Sequence, residues 1–192
     1  MSLFSVFSIG AQFHDVPVAR TGLNVGISII SENDTTRIEP IKYSAQKVGS
    51  GAFLSGLTYG LAKVKNKIIY KGKNSPNKAK VGDTIRFAFG NVPPQYLAEY
   101  YMFQQVYTIR NFSLCKFDVK KKQRELKSGE ISLWEGSDFG VKENNDVEFD
   151  VEVKDGQVFD AKIVKAKSGE YCFVFSDRGV GIYMSVFDFA IE

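Results

Sequence analysis

Hydrophobic and polar positions alternate most cleanly over residues 147–153. Val147, Phe149, Val151 and Val153 interleave there with Glu148, Asp150 and Glu152. A period of two sends neighbouring side chains to opposite faces of a strand. The four apolar residues are therefore expected on a core and the three acids in solvent. Lys154-Asp155-Gly156-Gln157 reads as a hairpin turn into a second strand over 157–164. Residues 169–192 hold a further pair of runs. The first, 171–175, is apolar on both parities and predicts a central strand covered on both faces. In the second, Phe187, Phe189 and Ile191 alternate with Val186, Asp188 and Ala190, which predicts a last strand with one face on the core. Residues 84–89 repeat the pattern, with Ile85, Phe87 and Phe89 inward and Thr84 and Arg86 outward.

The other segments are read from weaker patterns. Residues 4–30 suggest two or three short strands, with Phe4 and Val6 or Phe7 and Ile9 inward in the first. Asn33-Asp34 signals a turn, and Pro40 a bend or a sheet edge. Phe53, Leu57, Leu61 and Val64 form a helical stripe, but four glycines in 49–64 leave a helix or a Gly-rich connection. Strands are expected at 67–70, 112–120 and 130–134, with a loop at 72–77. The apolar parity changes from Phe112 and Leu114 to Cys115, Phe117 and Val119, which suggests a β-bulge. The best helix is 91–107, with Asn91 as cap, Pro93 and Pro94 in the first turn, and Tyr96, Tyr100, Phe103 and Tyr107 on one face. The expected fold is mainly β, an antiparallel β-sandwich or partly open barrel with one or two short helices. Residues 1–192 form a single domain, or 1–110 and 111–192 form two small β modules.

Composition agrees with β structure: 14% of residues are aromatic, with 16 Phe and 9 Tyr. The net charge of +3 hides an asymmetry. Residues 1–129 carry 19 Lys and Arg against 8 Asp and Glu, a net of +11; residues 130–192 carry 6 against 14, a net of −8. Seven lysines and no acid lie between Lys63 and Lys80, so nucleic-acid binding there is one reading and solvated lysines the commoner one. Cys115 and Cys172 sit in apolar runs, as two buried thiols or as one long-range disulfide. No stretch reaches the roughly 20 apolar residues of a membrane helix. The start has no Lys or Arg before its apolar run, which makes it a poor signal peptide.

Catalytic chemistry has little to stand on. His14 is the single histidine, and its Phe13-His14-Asp15-Val16 setting matches no nucleophile or base motif. Metal-ligand spacing is absent, and no cofactor motif is present: Gly179-Val-Gly181 lacks the strand-loop-helix context of a phosphate loop. Paired carboxylates would serve a carbohydrate enzyme, with Glu130, Glu135, Asp138, Glu143 and Asp146 as candidates. The binding candidates are aromatic. Tyr100 and Tyr101, beside Met102 and Phe103, exceed what one buried stripe holds, and Trp134 precedes a Gly-rich loop.

The tail Gly169-Glu-Tyr-Cys-Phe-Val-Phe, the final Val186-Phe-Asp-Phe-Ala-Ile, and Arg124-Glu-Leu-Lys-Ser-Gly129 with Leu133-Trp134 resemble the C-terminal region of uncharacterised bacterial β-rich proteins. There an Arg-Glu-Leu-x-x-Gly turn precedes a strand, and a Pro-Gly-Glu-Tyr strand pairs with a final Asp-Phe-Gly-type strand. Ser168 stands here where proline is usual, and Ala190 where glycine is usual. The resemblance covers about the last 80 residues. It implies a β fold, a secreted or cell-envelope setting, and no site. The functional expectation is a non-enzymatic binding or envelope module for a protein or carbohydrate ligand, centred on Tyr100, Tyr101 and Trp134. The alternatives are a carboxylate enzyme on a carbohydrate and, more weakly, nucleic-acid binding.

Overall fold

The computed structural model describes residues 23–42, 44–48, 64–105, 108–132, 136–138, 144–175 and 185–192. The strands β1 (Gly26–Ile30) and β2 (Thr35–Ile38) form a hairpin. Its turn is the expected one: Asp34 accepts from Ser31 N–H through its carbonyl at 2.9 Å and from Thr35 N–H through its carboxylate at 2.8 Å. Pro40 then redirects the chain. The short β3 (Pro40–Ile41) leaves the sheet of β1 and β2 and pairs with another at its edge. Next come β4 (Ala45–Val48), β5 (Val64–Lys71), β6 (Lys78–Ala79) and β7 (Thr84–Ala88). Two single-turn helices, α1 (Leu97–Tyr100) and α2 (Met102–Gln105), precede β8 (Phe112–Lys116), β9 (Asp118–Val119), β10 (Gln123–Ser132) and β11 (Gly136–Asp138). The last four are β12 (Val147–Val153), β13 (Val158–Ala166), β14 (Gly169–Phe175) and β15 (Val186–Ile191).

These strands build three sheets, and none closes into a barrel. The front sheet runs β12-β13-β7-β1-β2, the middle sheet β3-β15-β14-β8, and the back sheet β11-β10-β5-β4. Pairing is antiparallel throughout, except that β6 lies parallel to β15. Every sheet draws strands from both sides of residue 110. The larger core lies between front and middle sheets, where Ile27, Ile85, Phe87 and Ile163 meet Phe112, Phe173, Phe187 and Phe189. The smaller core lies between middle and back sheets and contains Tyr70, Cys115, Phe117, Leu126, Cys172, Val174 and Val186.

This layering explains where the pattern reading succeeds and where it needs correction. Ile85, Phe87 and Phe89 are buried, and β14 is buried on both faces, as expected. The expectation of a one-sided last strand fails. All six residues of β15 are buried, because the back sheet covers its second face. The parity change after Leu114 is not a bulge, since β8 pairs with β14 in unbroken register. Phe112 and Leu114 face the larger core, while Cys115 faces the smaller one. Val151 and Val153 are also misplaced by periodicity. They are 45% and 56% exposed, because β12 is an edge strand that outruns the core beyond Val147 and Phe149. The acids between them are exposed as expected. Arg124-Glu-Leu lies inside β10 rather than in a turn, and a register shift falls between Lys127 and Glu130. The residue 4–22 strands and residues 49–63 of the expected 49–64 helix or connection lie outside the described residues, and Val64, expected on its helical stripe, opens β5 instead.

The expected continuous helix is broken. A 3-10 turn, Pro94–Tyr96, leads into α1, and Pro93 takes the cap position with no side-chain cap, so Asn91 does not serve. Gln104 N–H reaches back three residues to Tyr101 at 3.1 Å, a tighter step than regular α-helix. Packing holds the segment instead: Tyr100, Met102 and Phe103 are buried, and Phe103 stacks on Phe112 at 5.5 Å between ring centres. At the same end Arg37 donates to the carbonyls of Leu23 (2.9 Å) and Val25 and lies over the Tyr100 ring. Gly26 makes room for it. At φ of +131°, a Cβ there would stand 2.6 Å from Arg37 Nη2.

Candidate functional site

Of the aromatic candidates, Tyr100 does not lie on an exposed surface. Tyr100 is fully buried, and its hydroxyl donates to a carboxylate oxygen of Glu39. Burial in the larger core is the main reason its phenol is pushed far above the ordinary value, with the Glu39 contact adding to it. Tyr101 is half-buried and stands edge-on to Phe175 at 6.4 Å. Trp134 lies outside the described residues. Tyr100 is thus a core side chain, and the surplus of aromatic residues around it is absorbed by long-range packing.

The lysine-rich run divides in two. Lys67 is bound to Glu125 at 2.8 Å and Lys78 to Glu192 at 3.0 Å. Lys71 and Lys73, by contrast, are exposed where β5 gives way to the following loop. A second link, Lys120-Lys121-Lys122, joins β9 to β10 and lies beside the first. Gly72 N–H donates to Lys122 O at 3.2 Å, and Lys120 N–H to Gln123 O at 2.8 Å. Five exposed lysines therefore share one end of the back sheet, and neither link, 71–74 nor 119–122, contains an acid. No ion pair to any of the five occurs among the described residues. Like charges gathered this way raise the local potential and attract anions. The triplet at 120–122 is plain in the sequence. Its meeting with Lys71 and Lys73 depends on the β5–β10 register, which sets Gln123 opposite Lys71.

A groove of about 290 Å³ opens beside this end, lined by Lys116, Asp118, Glu125, Lys127 and Asn144 among others. Asp118 and Glu125 are direct cross-strand partners whose side chains leave the same face of the sheet, a starting point for a two-carboxylate mechanism. The electrostatics do not suit one. Glu125 accepts from Lys67 at 2.8 Å and Gln123 at 2.7 Å, and the Lys67 contact holds its carboxyl below the usual range. It is an anion and not a proton donor. Asp118 lies 3.6 Å from Lys127. Lys116 bonds Asp146 at 2.9 Å, which raises its ammonium above the ordinary value. The Lys67–Glu125 and Lys116–Asp146 contacts stabilise the charged forms of both partners, the opposite of a group poised to exchange protons near neutrality.

The other carboxylates fall into place similarly. Asp146 receives Lys167 at 2.8 Å as well as Lys116, and these contacts pull its carboxyl down to about 2. Side chains of Glu130 and Asp138, and residues Glu135, Glu143 and His14, lie outside the description. Among the described residues no group of His, Cys, Asp and Glu could hold a metal ion, and no helix is long and apolar enough to cross a membrane. Cys115 and Cys172 are buried, form no disulfide, and stand directly opposite each other on β8 and β14. Asp188 follows opposite Cys172 on β15, and Arg124 of β10 crosses the smaller core to bind it. Arg124 also reaches Glu170 at 3.4 Å, and Ser75 N–H donates to Glu170 at 2.7 Å. This buried network joins the middle and back sheets and offers no access to a substrate. Comparison with protein families, curated proteins and solved structures gives no match to this chain.

Proposed function

We propose that the protein is a non-enzymatic binding module whose ligand carries repeated negative charges and docks at the lysine-rich end of the back sheet. One observation carries the reading: the Gly72–Lys122 hydrogen bond joins two links that together expose Lys71, Lys73, Lys120, Lys121 and Lys122 without an acid. The adjoining groove, with its mutually fixed charges, fits a role in orienting a ligand and not in proton transfer. Phosphodiester and sulfate-ester chains share the required chemistry, so the test uses a single-stranded oligonucleotide and a sulfated oligosaccharide of equal charge. Binding is expected to weaken with salt, by a slope of about 0.7 in log K per phosphate contact for the oligonucleotide. Lys121→Gln with Lys122→Gln should reduce both affinity and slope. Absence of binding to either probe at low salt, or equal binding by the double variant, refutes the assignment.

A further inference from the structure

The outer edge of the front sheet carries a second, independent surface. β12 pairs with β13 on one side and with no strand on the other among the described residues. Lys154 N–H donates to Val158 O at 2.9 Å, next to the Val153–Phe159 register position. Antiparallel bonding alternates, so residues 150, 152 and 154 turn their backbone groups to β13. Those of Val151 and Val153 point outward. The bonding of β13 agrees: Phe89 N–H meets Gln157 O at 2.8 Å, which commits the odd-numbered residues of that strand to β7.

The side chains flanking this open edge have a definite chemistry. One face shows Val151 and Val153, about half exposed. The other shows Glu148, Asp150 and Glu152. Several of the charges on that face are matched across strands, although Glu152 stands opposite Asp160 and is bound by Lys154 at 2.7 Å. Arg86 of β7 holds Asp160 of β13 through two contacts of 2.7 Å. Lys165 of β13 holds Glu148 of β12 at 2.9 Å, and Lys162 stands opposite Asp150. A further strand at this edge faces three exposed acids, of which Asp150 has no ion pair among the described residues, and is complementary when basic. A second copy of β12 is disfavoured, because acid would oppose acid, a common device against edge-to-edge association.

We propose that the outer edge of β12 receives an extended segment of a protein partner in which Lys or Arg alternates with β-branched apolar residues, added as a further strand of the front sheet. Its backbone bonds Val151 and Val153, its apolar side chains cover the two valines, and its cations meet Asp150 and its neighbours.

The probe is a fluorescent acetyl-Lys-Val-Lys-Val-Lys-Val-Lys-amide peptide, titrated with the full chain and read by anisotropy. A peptide with proline in place of valine keeps the charge and removes the strand donors. Binding of the valine peptide is expected, with the proline peptide about tenfold weaker or worse, a loss on the scale of one or two backbone hydrogen bonds. Asp150→Lys and Val151→Pro should each weaken the valine peptide by a similar factor. Val151→Pro is compatible with the fold because the N–H it removes bonds nothing within the sheet. Should it unfold, Asp150→Lys at an exposed position carries the test alone. Equal binding of the two peptides, or no effect of Asp150→Lys, overturns the proposal. So does a dimer in solution that Val151→Pro dissolves, since a second copy would then be the occupant.

Discussion

Replacing Arg124 by methionine tests whether the charge that crosses the smaller core is needed or merely accommodated. The side chain is 5% exposed, its guanidinium bonds Asp188 and lies 5.0 Å over the Phe117 ring. Methionine keeps the length and the apolar contact with Phe117 but removes the cation. Glu170 retains the Ser75 N–H at 2.7 Å. The Asp188 carboxylate, fully buried, loses the donor that holds its Oδ2. Removing one partner of a buried pair costs about 3–5 kcal/mol. A domain has only about 5–15 kcal/mol in total, so the single variant should be severely destabilised. The double variant Arg124→Met with Asp188→Asn removes both charges. Among the described residues Arg124 Nε and Asp188 Oδ1 make no hydrogen bond, so the native pair is itself imperfectly satisfied. The double variant should therefore recover most of the loss. Urea unfolding followed by far-UV circular dichroism at neutral pH measures both. A single variant within about 1 kcal/mol of the parent refutes the reasoning, given the cost expected of an unpaired buried charge. A double variant no better than the single one refutes it equally.

Three further outcomes are expected. A chain ending at Ser185 loses Phe187, Phe189 and Ile191, each fully or almost fully buried and each worth about 1.5–3 kcal/mol; it should show no cooperative melt, and an unchanged melting curve would contradict the role of β15. The carboxyl of Asp146 is drawn from its ordinary 3.8 down to about 2 by Lys167 and Lys116. A lowered folded value means that its stabilisation is present above the unfolded value and is lost as pH falls toward 2; Asp146→Asn should melt lower than the parent at neutral pH, with the difference vanishing in acid, and a constant difference across that range would count against the pairing. Cys115 and Cys172 are both fully buried, and burial pushes the Cys172 thiol well up, so a thiol reagent should label neither in the native protein and both in urea; rapid native labelling would show that the smaller core opens.

Local pattern revealed elements better than layers. β7 and β14 are legible because their neighbours on each face match what alternation or its absence implies. β15 is not, because Asp188 sits on the parity that usually meets solvent, and the residue that accommodates it, Arg124, is 64 positions away. Periodicity reports that side chains alternate; it does not report what lies opposite, so it predicts core positions for Val151 and Val153 although the core ends at Phe149. The same limit governs the site. Tyr100 is part of a tyrosine-dense run, but the Glu39 that takes its hydroxyl comes from the β2–β3 bend. Lys71, Lys73 and the lysine triplet are each visible alone, and only the β5–β10 pairing makes them one feature.

The position of β15 bears on how the chain must be made. It lies between β14 and the β3–β6 edge, at the centre of the sheet shared by both cores. Ribosomes add about 5–20 residues per second, so the interval between β3 and β15 is on the order of ten seconds. From β4 onward strands of all three sheets are present, while the middle sheet still lacks the strand that contributes to both cores. The nascent chain holds unpaired apolar edges that invite association with other chains. Its demand on chaperones is accordingly set by the duration of translation and not by the stability of the finished fold, and slowing synthesis should lower its soluble yield even for variants that are more stable once complete.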